Sequence, residues 1–326
     1  VDIAKVFDFK WMNASSYQIY KGETNPTLTD AGTLKLTLST KTPYVMRTES
    51  GTRGSIETSG TVTQALSDTV YVDATNGNDS NLGNAVGKAV RNINTAIDKV
   101  SENGTVVLTG DYETTGYALI KKSVTVKSLE DNTFKLSLNS LGGIKINSGA
   151  TVTFDNVTIN NTKFSGYASS GSTGDRNIAF KNCNGENITI ANSSNNFANI
   201  TFENSVLSGT FYAATKLALD VSTVSGKFTT KDFTAKGNCR LNLKRSAPAV
   251  IKGSVDFKDN ALITISTENP ARGEKLIEVP SGTDDKIVGN FKLADTQNDK
   301  YALKCRETYN GTYIGISECI SIDDGK

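Results

Sequence analysis

The sequence predicts an all-β chain wound as a parallel β-solenoid, with one short helix over an open end and small β-rich flanks. Three observations carry this. Short runs of the form apolar, Thr, apolar recur through the middle of the chain, as in Val152-Thr153-Phe154, Ile188-Thr189-Ile190 and Ile200-Thr201-Phe202. They lie about 10 to 30 residues apart, too close for the crossover helices of βαβ units. Several follow an asparagine, such as Asn156, Asn187 and Asn199, a residue that tolerates the left-handed backbone needed where successive coils turn the same corner. An antiparallel β-sandwich is the alternative, since strands 8 to 12 residues apart suit it as well.

In chain order, residues 1–67 form a β-rich flank or small module. Val6 to Trp11 places its aromatics on one face and Thr33 to Leu38 alternates strictly, so both are expected to be strands. The boundary is expected between Thr61 and Asp68. Residues 68–268 are the solenoid. It opens with a strand at Val70 to Asp73, then a Gly/Asn turn from Thr75 to Gly83, then a helix near 92–102. In that helix Ile93, Ala96, Ile97 and Val100 share one face, Asn92 is the N-cap and Gly104 falls just past the end. A lone helix here suits a cap, because an uncovered solenoid end invites edge-to-edge association. Residues 269–326 read as antiparallel strands, a cap or small module, with a two-residue turn at Asn310-Gly311.

The 35 Lys and Arg against 34 Asp and Glu give a net charge of +1, which excludes the clustered basic footprint of a nucleic-acid or anionic-membrane binder. The chain contains no histidine, which removes Ser-His-Asp and Cys-His hydrolysis, His-ligated zinc and imidazole acid–base chemistry. Carboxylate, Lys, Arg, Tyr or Cys chemistry remains. No apolar run approaches the roughly 20 residues of a membrane helix, so no membrane insertion is expected, and Val1 opens no signal peptide, as in a mature or excised segment. The 31 asparagines, eleven of them between Thr151 and Ile200, fit amide ladders between stacked coils; exposed Asn and Thr rows would equally hydrogen-bond a glycan. Cys183, Cys239, Cys305 and Cys319 are too scattered for a zinc or redox motif. A Cys305–Cys319 disulfide needs a loop longer than the two-residue turn, and Cys183–Cys239 is the other pairing considered.

The stretch from Val70 to Tyr112 resembles the opening of right-handed parallel β-helix proteins of the pectate-lyase-like superfamily. The likeness is carried by Tyr71, Val72, Gly77, Asp79, Ser80 and Gly83, by Ile93, Ala96 and Ile97, and by Gly104, Thr105, Val106, Gly110 and Tyr112. The resemblance implies a right-handed coil with its helix over the N-terminal end. That superfamily includes polysaccharide lyases, glycoside hydrolases, phage tailspikes and the adhesive domains of large bacterial surface proteins.

A lyase or hydrolase would use carboxylates with Lys or Arg on the coil flank, but the acids between Asp155 and Asp259 read as scattered singly. The glycine-rich excursion Gly166 to Gly174, followed by Asp175-Arg176, is where function is expected to sit. Its candidate ligand-binding residues are Tyr167, Asp175 and Arg176. Asp73 and Asp79 place carboxylates in the turn Asp73-x-Thr75-x-Gly77-x-Asp79, a candidate calcium loop lacking the terminal bidentate acid; the alternative is an Asx-stabilised turn. Phe211, Phe228 and Phe233 suit the core better than a sugar-stacking face. The expected protein is thus a secreted or cell-surface bacterial domain, non-catalytic, with no cofactor unless calcium. It would bind a host or environmental glycan or surface protein, and not nucleic acid. A carbohydrate-active enzyme and a trimeric receptor-binding or structural fibre are the alternatives.

Overall fold

The computed structural model describes residues 16–20, 42–49 and 55–62 and, from 66 to 318, all but 139–142, 168–173, 191–196, 295–299 and 309–310. The runs Val6 to Trp11 and Thr33 to Leu38 lie outside the described residues. The chain divides into two units, residues 1–66 with 80–82, and residues 67–79 with 83–326. In the first, Ser16–Tyr20, Thr42–Glu49 and Ser55–Val62 form an antiparallel three-stranded sheet.

In the second unit, 21 strands among the described residues join one long, mostly parallel sheet, as a β-solenoid would. Pairing runs from each strand to the equivalent one a coil later, in three ladders. The first passes through Ser67–Val72, Val100–Leu108, Val124–Ser128, Thr151–Asp155, Asn177–Lys181 and Phe197–Glu203. It then continues through parts of the long strands Val206–Asp220, Thr223–Leu243 and Val255–Thr267. Because side chains alternate along a strand, every second position points inward, and register turns each inward position into a column. Val70, Val106, Val126, Phe154, Phe180, Phe202, Leu219 and Ala235 are successive partners and all are buried. The third ladder builds a second column from Ala118, Ile144, Phe164, Ile190, Phe211 and Phe228. Phe154, Phe180 and Phe202 stack with centroids 5.8 and 5.4 Å apart, and Phe164 meets Phe180 edge-on at 5.8 Å.

The expected corner chemistry is present at Asn156, Asn182 and Asn204, with φ of 54°, 51° and 46°. Each donates its backbone N–H to the next coil, at Lys181, Glu203 and Asp220 respectively. Amide ladders also form: Asn204 Nδ2 donates to Asn182 Oδ1 at 2.9 Å, Asn199 to Asn177 at 2.7 Å and Asn187 to Asn161 at 3.0 Å. Asn199 departs from the corner reading, since it lies inside the strand Phe197–Glu203 and outside the left-handed set. The next corner is Val221, which follows Asp220, donates its N–H to Lys236 O and holds φ at 46° while 55% exposed. A β-branched residue is strained there, and Val221→Asn is expected to raise stability by about 1 kcal/mol in urea denaturation. A lower urea midpoint would show that Val221 carries packing worth more than its strain.

Among the described residues the one α-helix, α1, spans Ile93–Lys99, shorter than expected. Asn92 caps it by accepting from Asn94 N at 2.8 Å, and Ile93, Ala96, Ile97 and Val100 are buried as predicted. Tyr112 Oη accepts the Ile93 N–H at 3.1 Å, a second cap from the next coil. Gly104 does not end the helix; it lies inside Val100–Leu108, where a Cβ would stand 2.6 Å from Val100 Cγ2 and 2.9 Å from Asp68 O.

The C-terminal strands are antiparallel. Tyr301–Thr308 pairs with Gly311–Glu318, which pairs with Lys275–Val279 of the third ladder. Thr308 faces Gly311, whereas a two-residue turn at Asn310-Gly311 would set 309 opposite 312, so the register departs from that expectation. Cys305 consequently faces Ile314, and Cys319 lies outside the described residues. Cys183 and Cys239 are separate buried thiols, so no disulfide joins them. Burial pushes the Cys183 thiol up to about 12, leaving it un-ionised at neutral pH.

Candidate functional site

The residues singled out in sequence fall in two places. Asp73 and Asp79 organise the turn before α1. Asp73 Oδ1 accepts the N–H groups of Thr75 and Asn76 at 2.9 and 2.8 Å, and Asn76 Nδ2 donates to Oδ2 at 3.3 Å. The Asn76 N–H in particular holds the Asp73 carboxyl below its ordinary range. Asp79 Oδ1 accepts the N–H groups of Arg91 and Asn92 at 3.0 and 2.8 Å, tying the turn to the helix start. Arg91 Nε donates back to Gly77 O at 3.1 Å. These contacts are those of an Asx-stabilised turn. No cluster of three or more acids or cysteines able to hold a metal occurs among the described residues.

Tyr167, Asp175 and Arg176 flank the excursion whose residues 168–173 lie outside the described ones. Asp175 is exposed and Tyr167 is 40% exposed at the end of Lys163–Tyr167. Arg176, expected as a surface anchor, is instead only 7% exposed. Its Nε donates to Ile146 O at 3.0 Å, and its Nη2 donates to Tyr167 O at 2.9 Å and to Ser148 Oγ. Burial lowers its pKa, but a guanidinium stays charged throughout the usable pH range. Arg176 is therefore a clamp: its fork joins the strand ends Ile144–Asn147 and Lys163–Tyr167 and holds the backbone of Tyr167.

A second tyrosine, unremarked in the sequence, shares that outer face. Tyr117 is 51% exposed and immediately precedes Ala118–Ile120. The side chain of Asn94 in α1 grips the chain on both sides of Ala118: Nδ2 donates to Tyr117 O and Oδ1 accepts from Leu119 N, both at 2.8 Å. Lys145, on the strand between, places Nζ 4.7 Å from the Tyr117 ring centroid, within cation–π range. Register aligns Ala118 with Ile144 and Phe164, so the two tyrosines sit four residues and two strands apart, about 16 Å between their Cα atoms. The available signal for Tyr117 was its place one step before an inward residue of an alternating run; Phe211, Phe228 and Phe233 occupy inward positions and are buried as predicted.

Three of the acids that look scattered in sequence, Asp155, Glu203 and Asp220, are aligned in space. Lys127, Asp155, Lys181, Glu203, Asp220, Lys236 and Lys258 are successive partners in one outward column. Lys181 pairs with Glu203 at 3.0 Å, and Lys236 with Asp220 at 3.1 Å. Such exposed pairs contribute about 0.2–1 kcal/mol each, and they neutralise the face locally. Comparison with protein-family profiles, curated proteins and solved structures finds no match for this chain. No helix among the described residues is long and apolar enough to cross a membrane.

Proposed function

We propose that the second unit is a right-handed parallel β-helix of the pectate-lyase-like kind, working at a bacterial cell surface as a non-catalytic element that binds a glycan or surface protein. The observation that carries the reading is the pair of exposed tyrosines, each with its backbone held by a side-chain clamp, Asn94 for Tyr117 and Arg176 for Tyr167. Tyrosine presents an apolar face and a polar tip, and a backbone already fixed loses little entropy on binding. Lys145 adds a donor and a charge between them. A glycan and host-protein array, run with and without Ca²⁺, is expected to give specific binding that the double variant Tyr117→Ala, Tyr167→Ala weakens about thirtyfold or more. Equal binding by the double variant, or specific turnover of a polysaccharide, would contradict the proposal. An enzymatic reading would rest on Glu203 and Asp220, adjacent in register and flanked by Lys181 and Lys236; turnover abolished by Glu203→Gln would establish it.

A further inference from the structure

Charge is sorted between the faces of the solenoid. The charged column of the first ladder mixes both signs and pairs within itself, whereas the third ladder turns lysines outward. Its described strands carry Lys145, Lys163, Lys227 and Lys275, and the one acid on them is Glu278, in the last strand. The segments 139–142, 168–173 and 191–196, next to these strands in sequence, contain no charged residue. Among the described residues, Lys145, Lys163 and Lys227 form no ion pair. The acids bordering the face are engaged: Asp98 bridges Lys121 at 2.8 Å, and Asp232 accepts from Ser254 N and Oγ at 2.8 and 2.9 Å. Exposed Asp175 adjoins the charged Arg176 in sequence.

Register sets these lysines around the tyrosines. Ala118, Ile144 and Phe164 are aligned, so Tyr117, Gly143 and Lys163, each one residue earlier, are aligned as well. Gly143, at φ 51°, admits no side chain, since a Cβ would stand 2.0 Å from Lys163 O. A notch therefore lies between Tyr117 and Lys163, whose Cα atoms are about 9.6 Å apart. Lys145 borders it, with Nζ 4.7 Å from the Tyr117 ring centroid. Lys145 is diagonal to Lys163, about 8 Å away across one strand spacing and two residues. The column continues from Lys163 through Thr189 and Thr210 to Lys227, about 14 Å further on.

The inference from this arrangement rests on the reading of the tyrosine face as a glycan site, and it names the glycan. Ammonium groups without acids of their own complement an anionic partner, and tyrosine faces suit sugar rings. A nucleic-acid strand carries a phosphate about every 3.4 Å, far denser than cations about 8 and 14 Å apart, which match a polymer charged only at intervals. The outward cations here are lysines. Planar carboxylates are read best by an arginine fork, and Arg176 at this edge is buried with its fork engaged on Ile146 O, Tyr167 O and Ser148 Oγ. A lysine is a compact point charge, suited to the rounded oxygen cluster of a sulfate ester. We propose that the third-ladder face binds a linear glycan bearing sulfate esters, with Tyr117 and Tyr167 against its rings and Lys145, Lys163 and Lys227 on its sulfates.

The test is calorimetric titration of the whole chain with dextran sulfate, unsulfated dextran, polygalacturonate and poly(dT). Dextran sulfate is expected to bind at least about tenfold more tightly than the other three. Its affinity is expected to fall about tenfold between about 50 and about 200 mM salt. The double variant Lys145→Gln, Lys163→Gln is expected to weaken it at least about tenfold with no fall in melting temperature. The control Lys236→Gln, Lys258→Gln removes equal charge from the first ladder and is expected to bind as the unaltered chain does. No binding of dextran sulfate, equal binding of polygalacturonate or poly(dT), or equal weakening by the control would overturn the assignment. A neutral glycan bound on the array without dextran sulfate binding would sink this inference alone, whereas no glycan or surface protein bound at all would remove the tyrosine-face reading with it.

Discussion

Phe180→Ala is expected to destabilise the solenoid by about 3–5 kcal/mol, read as a lower urea midpoint with an unchanged slope. Phe180 is fully buried at the centre of the first ladder's inward column, stacked between Phe154 and Phe202 and met edge-on by Phe164. The gap left by its ring is bounded by strands whose positions the ladder hydrogen bonds fix, so the cavity cannot collapse and the upper part of the range applies. Phe180→Leu refills much of the volume and is expected to recover more than half of the loss. A loss below about 1 kcal/mol for the alanine variant would show that the column is not packed as described.

The second large effect is expected at Arg176. Arg176→Met keeps the apolar stem and removes the fork, leaving Ile146 O, Tyr167 O and Ser148 Oγ without their shared donor. Hydrogen bonds from a charged donor contribute about 1.5–3 kcal/mol, set against the desolvation cost of burying the guanidinium, so a net loss of about 2–3 kcal/mol is expected. The same variant separates clamp from contact. With its side chain buried, Arg176 acts on a ligand only through Tyr167, so array binding is expected to fall in Arg176→Met even well below its unfolding transition. Arg176→Lys, which keeps the charge but not the planar fork, is expected to fail to restore it. Unchanged stability and binding in both variants would remove the clamp from the account.

The parts of the fold visible in the sequence are those set by local chemistry. The alternation of Val152-Thr153-Phe154 and Ile200-Thr201-Phe202, the Asn92 cap and the helix face of Ile93, Ala96 and Ile97 all depend on neighbours within a few residues. What stayed hidden depends on coil length. The partners in the charged column are spaced 28, 26, 22, 17, 16 and 22 residues apart, and an uneven period leaves Asp155, Glu203 and Asp220 looking unrelated. The same irregularity concealed Tyr117, whose nearness to Tyr167 is set by two coils of different length. Arg176 misled for another reason: an arginine after a glycine-rich excursion reads as a solvent-facing anchor, yet strand ends with unpaired carbonyls are what a guanidinium fork satisfies from within. At the C-terminal hairpin, the departure in register sets Cys305 opposite Ile314.

Parallel stacking, one coil on the next, sets the strand that follows Tyr117 and the strand that ends in Tyr167 on either side of Ile144–Asn147. Paired cysteines test it most directly, because a disulfide forms only where Cα atoms lie within about 7 Å. Lys145 and Ser165 are in-register partners, whereas Leu119 and Ser165 are two strands apart, about 9.6 Å. Under mild oxidation, peptide mapping by mass spectrometry is expected to find the cross-link in the Lys145→Cys, Ser165→Cys chain and none in the Leu119→Cys, Ser165→Cys chain. A cross-link in the second and not the first would contradict the stacking and, with it, the shared face on which the binding proposal stands.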